Sequence, residues 1–263
     1  MGLRIEAACN CNIGRRRANN EDNFYFAGRT LPSENRGLKA SVSMEAPLSG
    51  EMVFGVFDGM GGEKYGEEAS YMAAKTAKES LEKLSEYVYP PRDCLNRLLD
   101  AMNGAVCQRA RELKASRMGS TAVMMLFTGS FAYVANLGDS RAFRLRNGEL
   151  LQLSEDHTDA KFLQSQGITG RKPGLTQHLG IWPEEMVLEP YIAKGEIQDR
   201  DRYLLCSDGL TDMLTNVDIC TLMKEEGDIC HLTDRLVAAA LEKGGHDNVT
   251  VIAAEIHGQA AAL

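Results

Sequence analysis

Four aspartates stand at the ends of apolar runs: Asp58 in VFDGMGG, Asp139 in YVANLGDSR, Asp208 in RYLLCSDGL and Asp247 in GGHDNVTVI. Each one beside a glycine or asparagine suits a turn and by itself needs no chemistry. Four at the same place relative to a strand suggest a convergence. If the strands are neighbours in packed sheets, their ends gather several carboxylates, and like charges that close stay ionised only with cations between them. Oxygen-only donors favour Mg2+ or Mn2+, whereas zinc would bring cysteine and histidine together at a recognisable spacing. The five histidines are scattered, and Cys9 and Cys11 flank a single residue. For Gly59, Gly61 and Gly62 a turn and a metal site are compatible readings. Without side chains they would let a backbone carbonyl and coordinated waters approach a metal beside Asp58.

The segment GRRRANNEDNF adds Arg17, Glu21 and Asp22. Alone it reads as a solvated charged loop. Beside the aspartates it acquires a second reading: a guanidinium fork binds a phosphoryl group bidentately while the carboxylates hold metal-bound waters. Phosphoester hydrolysis is the chemistry this combination suggests.

Strands must carry those ends. Leu3, Ile5, Ala7, Cys9 and Cys11 alternate with mostly polar neighbours, and EMVFGVF, SFAYVANLG, RAFRLRNGELLQLS, RYLLCS and NVTVIAAEI also read as strands. Ala69, Met72, Ala73, Thr76, Ala77, Leu81 and Leu84 recur at helical spacing. After YPPRD a second set runs from Cys94 through Leu95, Leu98, Leu99, Met102, Ala105 and Val106 to Leu113, which predicts a helical hairpin. Further helices are predicted at 216–226 and 232–243. Runs of strands broken by paired helices favour an α+β fold with antiparallel sheets over a doubly wound parallel sheet. The stretch 159–175 is the most loop-like and the best candidate for a mobile element.

With 263 residues, 44% of them hydrophobic, the chain can bury a sizeable core without disulfides or metal. A net charge of -8 provides no basic stripe for nucleic acid. Seven scattered cysteines suit a reduced interior. No segment approaches the ~20 apolar residues of a membrane span, and the N-terminus lacks the apolar core of a signal peptide, so a cytoplasmic location is expected. Gly2 invites a myristoylation reading, but Glu6 stands where that motif wants serine or threonine.

The order of motifs resembles the metal-dependent protein serine/threonine phosphatases of type 2C. The matching residues are Gly14, Arg17 and NED at 20–22, VFDGMGG at 56–62, GSTAV at 119–123, LGDSR at 137–141, EDHT at 155–158, CSDGLTD at 206–212 and DNVTV at 247–251. They span nearly the whole chain, in the compact manner of bacterial members. The resemblance implies an α-β-β-α architecture, a β-sandwich of two antiparallel sheets flanked by pairs of antiparallel helices. One catalytic domain over 1–257, with a short flap at about 159–176 and a tail at 258–263, is expected. Carried over by position, Asp58 would bridge two Mn2+ or Mg2+ ions. The Gly59 carbonyl would touch one, and Asp208 and Asp247 would hold the other. Asp139 with Asp208 would match a weaker third site, Glu21 and Asp22 would act through metal-bound waters, and Arg17 would hold the substrate phosphate. The activity implied is hydrolysis of phosphoserine and phosphothreonine in proteins by a water activated between two metals. The implied partners are those phosphoproteins and a cognate kinase, with no nucleic acid or membrane, and a monomeric state is expected.

Two departures stand out. Met60 follows the Asp-Gly pair where many eukaryotic relatives carry a histidine proposed to protonate the leaving alkoxide, and Gln177 in LTQHLGI replaces a frequent arginine. No covalent phosphoenzyme is needed, so Cys206 reads as core and Ser120 as structural. The haloacid-dehalogenase phosphotransferases, which also place aspartates at strand ends, need an Asp-x-Asp pair that neither VFDGM nor CSDGL supplies. The remaining alternative is a catalytically weakened phosphatase-fold protein that binds phosphoproteins or regulates partners. The full set Asp58, Asp208 and Asp247 argues against it, because a binding module has little reason to gather mutually repelling charges.

Overall fold

The computed structural model describes residues 2–60, 65–84 and 89–258. The chain opens with β1 (Leu3–Asn12), β2 (Asp22–Phe26), β3 (Val42–Pro47) and β4 (Met52–Met60), followed by α1 (Gly66–Leu84) and α2 (Pro91–Leu113). Next come β5 (Gly119–Ser120), β6 (Ala122–Thr128), β7 (Phe131–Leu137), β8 (Arg141–Arg146), β9 (Glu149–Gln152) and the short α3 (Ala160–Ser165). It ends with β10 (Tyr191–Glu196), β11 (Arg202–Cys206), α4 (Asp208–Thr211), α5 (Asn216–Met223), α6 (Ile229–Glu242) and β12 (Val249–Gly258). One sheet has the order β3-β1-β12-β11-β8-β9 and the other β10-β7-β6-β4-β2, with β5 paired to the end of β4. Every pairing is antiparallel.

Alternation along the strands makes the layers. In β4, Phe54 and Val56 enter the core between the sheets while Val53 and Phe57 face the helices. In β12, Ile252, Ala254 and Ile256 point inward and Val249, Val251 and Ala253 outward. Each large apolar side chain buried this way contributes about 1.5–3 kcal/mol, and a slip of one residue would reverse every face, so the register is strongly specified. An aromatic chain, Phe26 to Phe54 to Phe127 to Tyr203, crosses the sandwich with centroids 5.2, 5.9 and 5.2 Å apart.

The helices cover the outer faces. Ala69, Ala73 and Ala77 give α1 a shallow face against Leu95, Leu98, Leu99 and Met102 of α2, over the β4-β6-β7 side of the second sheet. Proline at the first position of α2 has the fixed φ a helix start requires, and Lys114 at φ 53° ends it. On the other sheet α5 and α6 cover β8, β11 and β12. A reciprocal cap between Thr215 and Asp218 starts α5.

The predicted α+β sandwich and helix pairs are observed, and several expected boundaries are corrected. RAFRLRNGELLQLS is two strands, β8 and β9, because Asn147 and Gly148 both take positive φ and form the tight turn between them. The last two helices end at Met223 and begin at Ile229. β2, β3, β6 and β10 extend the expected strand set. The stretch 159–175 contains α3 and is tied back by the bridge between Thr158 and Leu175.

Candidate active site

The second sheet supplies one wall. β2 and β4 pair with Asp22 opposite Asp58, and each aspartate lies two residues along from an inward-facing core residue, Phe24 or Val56. Both side chains therefore point to the sandwich side at the end of the sheet. Asp58 is fixed on both backbone atoms: its N–H donates to Thr121 Oγ1 at 3.0 Å and its carbonyl accepts from Thr121 N–H at 2.8 Å. The Gly59 N–H donates to the Glu21 carbonyl at 3.0 Å. A Cβ on Gly59 would sit 1.9 Å from the Gly66 carbonyl and 2.7 Å from that of Glu21. The glycine is thus demanded by the start of α1 pressing on the strand, a reason distinct from access to a metal.

The first sheet supplies the other wall. Asp208 begins α4 directly after β11, and Asp247 precedes β12, the neighbour of β11. Gly209 permits this contact, since a Cβ there would lie 1.9 Å from the Asn248 carbonyl. Asn248 clamps the loop before β2. Its Oδ1 accepts from Glu21 N–H at 2.7 Å, and its Nδ2 donates to the carbonyls of Ile13 at 2.9 Å and Asn19 at 3.0 Å. The two sheets are tied beneath the site by Asp22, whose Oδ2 accepts from Ser207 Oγ and Thr250 Oγ1, both at 2.7 Å.

Between the walls lies a cavity of about 250 Å3 that brings together Arg17, Glu21, Asp58, Gly59, Asp139, Asp208 and Asp247. Burial raises the Asp58 carboxyl well above the usual range, and Asp22, Asp208, Asp247 and Asp139 push it further. Burial and the Asp208 charge lift Asp139 to about 6. Burial lifts Asp22 to about 7 despite the Ser207 and Thr250 hydroxyls, and burial also raises Glu21. Two cations face this cluster. Arg17 reaches Asp247 at 2.7 Å and Glu21 at 3.5 Å, while Lys172 Nζ donates to Asp208 Oδ2 at 2.7 Å and to Asp212 Oδ2 at 2.8 Å.

Of the eight predicted site residues, seven line this cavity: Arg17, Glu21, Asp58, Gly59, Asp139, Asp208 and Asp247. Asp22 differs: only 1% exposed, it lies under the cavity and not on its lining. Gly61 and Gly62 fall outside the described residues. Cys206 is buried on the helix-facing side, with its thiol pushed to about 12 by burial, and Ser120 is buried and donates to the Thr121 carbonyl. Gln177 turns away from the cavity to the 186–189 segment, donating to the Val187 carbonyl at 3.3 Å and accepting from Glu189 N–H at 3.2 Å. Sequence reasoning missed Lys172 and gave no role to Thr121 or Asn248, although the latter two lie inside quoted motifs.

The donor set suits hard divalent cations. It is entirely oxygen, and Asp208 Oδ1 is buried without a hydrogen-bond partner among the described residues. No three His, Cys, Asp or Glu side chains among those residues form a group able to enclose one ion by themselves.

Comparison with known proteins places the chain in context. The protein phosphatase 2C family profile matches residues 46–243. The serine/threonine protein phosphatase PstP of Mycobacterium tuberculosis is 31% identical over 236 residues, which is 87% of this chain and 45% of that protein. The chain thus spans less than half the length of that relative. A serine/threonine phosphatase of Listeria welshimeri is 29% identical over 211 residues, 76% of this chain and 82% of its own. Among solved structures, the M. tuberculosis phosphatase PstP/Ppp superposes with a TM-score of 0.77 at 28% identity, covering 98% of this chain and 100% of that one. The PstP catalytic domain in complex with two manganese ions gives 0.75 at 28% identity, covering 97% and 100%.

Proposed function

The chain belongs to the protein phosphatase 2C family, and from that premise we propose that it hydrolyses phosphoserine and phosphothreonine in proteins with Mn2+ or Mg2+ as cofactor. The observation that carries the reading is the meeting of Asp58, Asp139, Asp208 and Asp247 with Arg17 in one cavity at the end of the sandwich. The manganese ions of the related PstP structure support the cofactor.

In this reading Asp58, the Gly59 carbonyl, Asp208 and Asp247 hold two ions, and Asp139 with Asp208 a weaker third. Such ions, when bound, polarise a phosphoryl group and make water acidic enough to attack at neutral pH. The chain's own residues do the rest. Arg17, its guanidinium held by Asp247 and Glu21, presents a fixed fork to the phosphoryl oxygens. Asp22 braces both sheets so that Asp58 keeps its place opposite Asp208. Glu21, on the cavity wall, is placed to hold water beside the phosphoryl group. Met60 on the rim donates no proton, so the leaving alkoxide takes its proton from water. Cys206, buried and protonated, is no nucleophile, which supports direct hydrolysis.

The substrates are phosphoproteins made by a cognate kinase, within a signalling role. Residues 1–257 act as one catalytic unit, supported by a central core to which both sheets contribute. A monomer in the cytoplasm, away from membrane and nucleic acid, is the proposed state. Seven free cysteines, five of them buried, support a reducing compartment. Among the described residues no helix is long and apolar enough to cross a membrane. The test is phosphate release from a phosphothreonine peptide with Mn2+ and again with excess chelator. Turnover with Mn2+ and its loss in chelator are expected; equal turnover in both would refute the proposal.

A further inference from the structure

Next to the catalytic cavity, and sharing Met60 and Leu175 with it, runs a groove of about 760 Å3. Met118, Ile181, Trp182 and Met186 give it its bulkier apolar lining, with Arg117 and Glu185 also on its wall and the Arg111 guanidinium 5.1 Å from the centre of the Trp182 ring. Buried amides shape it. Asn103 in α2 donates to the Ile181 carbonyl at 3.0 Å and accepts from Gly180 N–H at 2.7 Å. Gln177 holds the segment that carries Met186. Met118 and Ile181 are buried, whereas Met186 is 46% exposed, its Sδ accepting from Gln177 Nε2 at 3.4 Å. Three thioethers and an indole make a wall that adapts to apolar side chains of several shapes.

The catalytic cavity has room for the phosphorylated side chain and little more, so the polypeptide that carries it must cross the rim. On the side of Met60 and Leu175, which line both cavities, it meets this groove. We propose that the groove seats a bulky apolar side chain of the substrate polypeptide, within three residues of the phosphorylated one, and so selects which phosphoproteins are hydrolysed. Three extended residues span about 10 Å, which sets the range of positions to be tested. The inference rests on the phosphatase reading and adds to it the class of sequence preferred.

Trp182 is the chain's one tryptophan, so its emission reports on the groove itself. The experiment uses phosphothreonine peptides that differ only in a leucine or an alanine placed at each of the three positions on either side. It measures kcat/KM for each with Mn2+ and, separately, the Trp182 emission during titration with the unphosphorylated peptides. Leucine at one or two positions is expected to raise kcat/KM about tenfold through KM, worth about 1.4 kcal/mol. Only those peptides should shift the emission to the blue. Met186→Glu, at an exposed site outside the catalytic cavity, should erase the preference and leave turnover of p-nitrophenyl phosphate unchanged. A flat scan with good turnover, an emission that does not move, or a preference that survives Met186→Glu would overturn the inference and leave the phosphatase reading intact. Failure to hydrolyse any peptide or p-nitrophenyl phosphate would overturn both.

Discussion

Replacing Asp22 with asparagine should stabilise the metal-free protein, and only above acid pH. Asp22 is held near 7 by burial and by the charges of Asp208 and Asp247, against the pull of the Ser207 and Thr250 hydroxyls, whereas an aspartate in the unfolded chain titrates near 3.8. The folded state therefore keeps a proton that the unfolded chain has already lost between about pH 4 and pH 7. In that window the folded state binds more protons, so stability falls as pH rises and levels off above 7. A separation of about three pKa units at about 1.36 kcal/mol each amounts to roughly 4 kcal/mol. Asparagine has no proton to lose and still offers an oxygen to Ser207 and Thr250. Asp58 is itself raised by Asp22, so the substitution relieves both carboxylates. Urea denaturation in excess chelator from pH 4 to 8 should show the two proteins within about 1 kcal/mol at pH 4 and the variant ahead by up to about 4 kcal/mol at pH 7.5. Parallel stability curves across that range would refute the claim that the folded site holds these carboxylates together at a cost.

Lys172→Met removes an ammonium that any cation approaching Asp208 has to displace. Because Lys172 is 59% exposed, the Mn2+ needed for half-maximal activity should fall only about two- to fivefold, and a rise would exclude competition. Arg17→Ala should lower kcat/KM by roughly one to three orders of magnitude, while Mn2+ affinity by calorimetry rises by no more than about two- to fivefold as the cation paired with Asp247 is removed; loss of metal at constant KM would assign Arg17 to the fold. Thr215→Ala breaks the reciprocal cap of α5 and should cost about 1 kcal/mol in urea denaturation. The Lys243 ammonium, and after it the hydroxyl and N–H of Thr215, hold Asp218 at about 2, so what the cap gains from the charged carboxylate is present above pH 4 and lost as pH falls towards 2. A Thr215→Ala deficit that is constant from pH 6 to 2 would contradict that assignment.

The architecture was legible where side chains alternate and where acids close a strand. β1, β4 and β12 have one face in the sandwich and one under helices, and their ends mark the site. β6, AVMMLFT, is apolar on both faces, so it carries no alternation to read. β3 and β10 lie at sheet edges, half-exposed, with Glu45 and Lys194 among their residues. Lys172 was invisible for a different reason. It stands 36 residues from Asp208 in a loop-like stretch, and only the return of that stretch onto the cavity makes it a neighbour. Gly59 was read as open space for a metal, yet its contact with Gly66 depends on where α1 starts, which no local pattern states.

The most direct measurement is Mn2+-dependent phosphate release from a phosphothreonine peptide by Asp58→Asn, with urea denaturation in chelator run beside it. Asp58 is the carboxylate on which the other aspartates of the cavity converge, and a neutral amide binds hard cations weakly. The expected result is a variant at least as stable as the parent whose turnover has dropped by about three orders of magnitude or more. A folded variant that still turns over within tenfold of the parent would show that the cavity's carboxylates do not carry the chemistry.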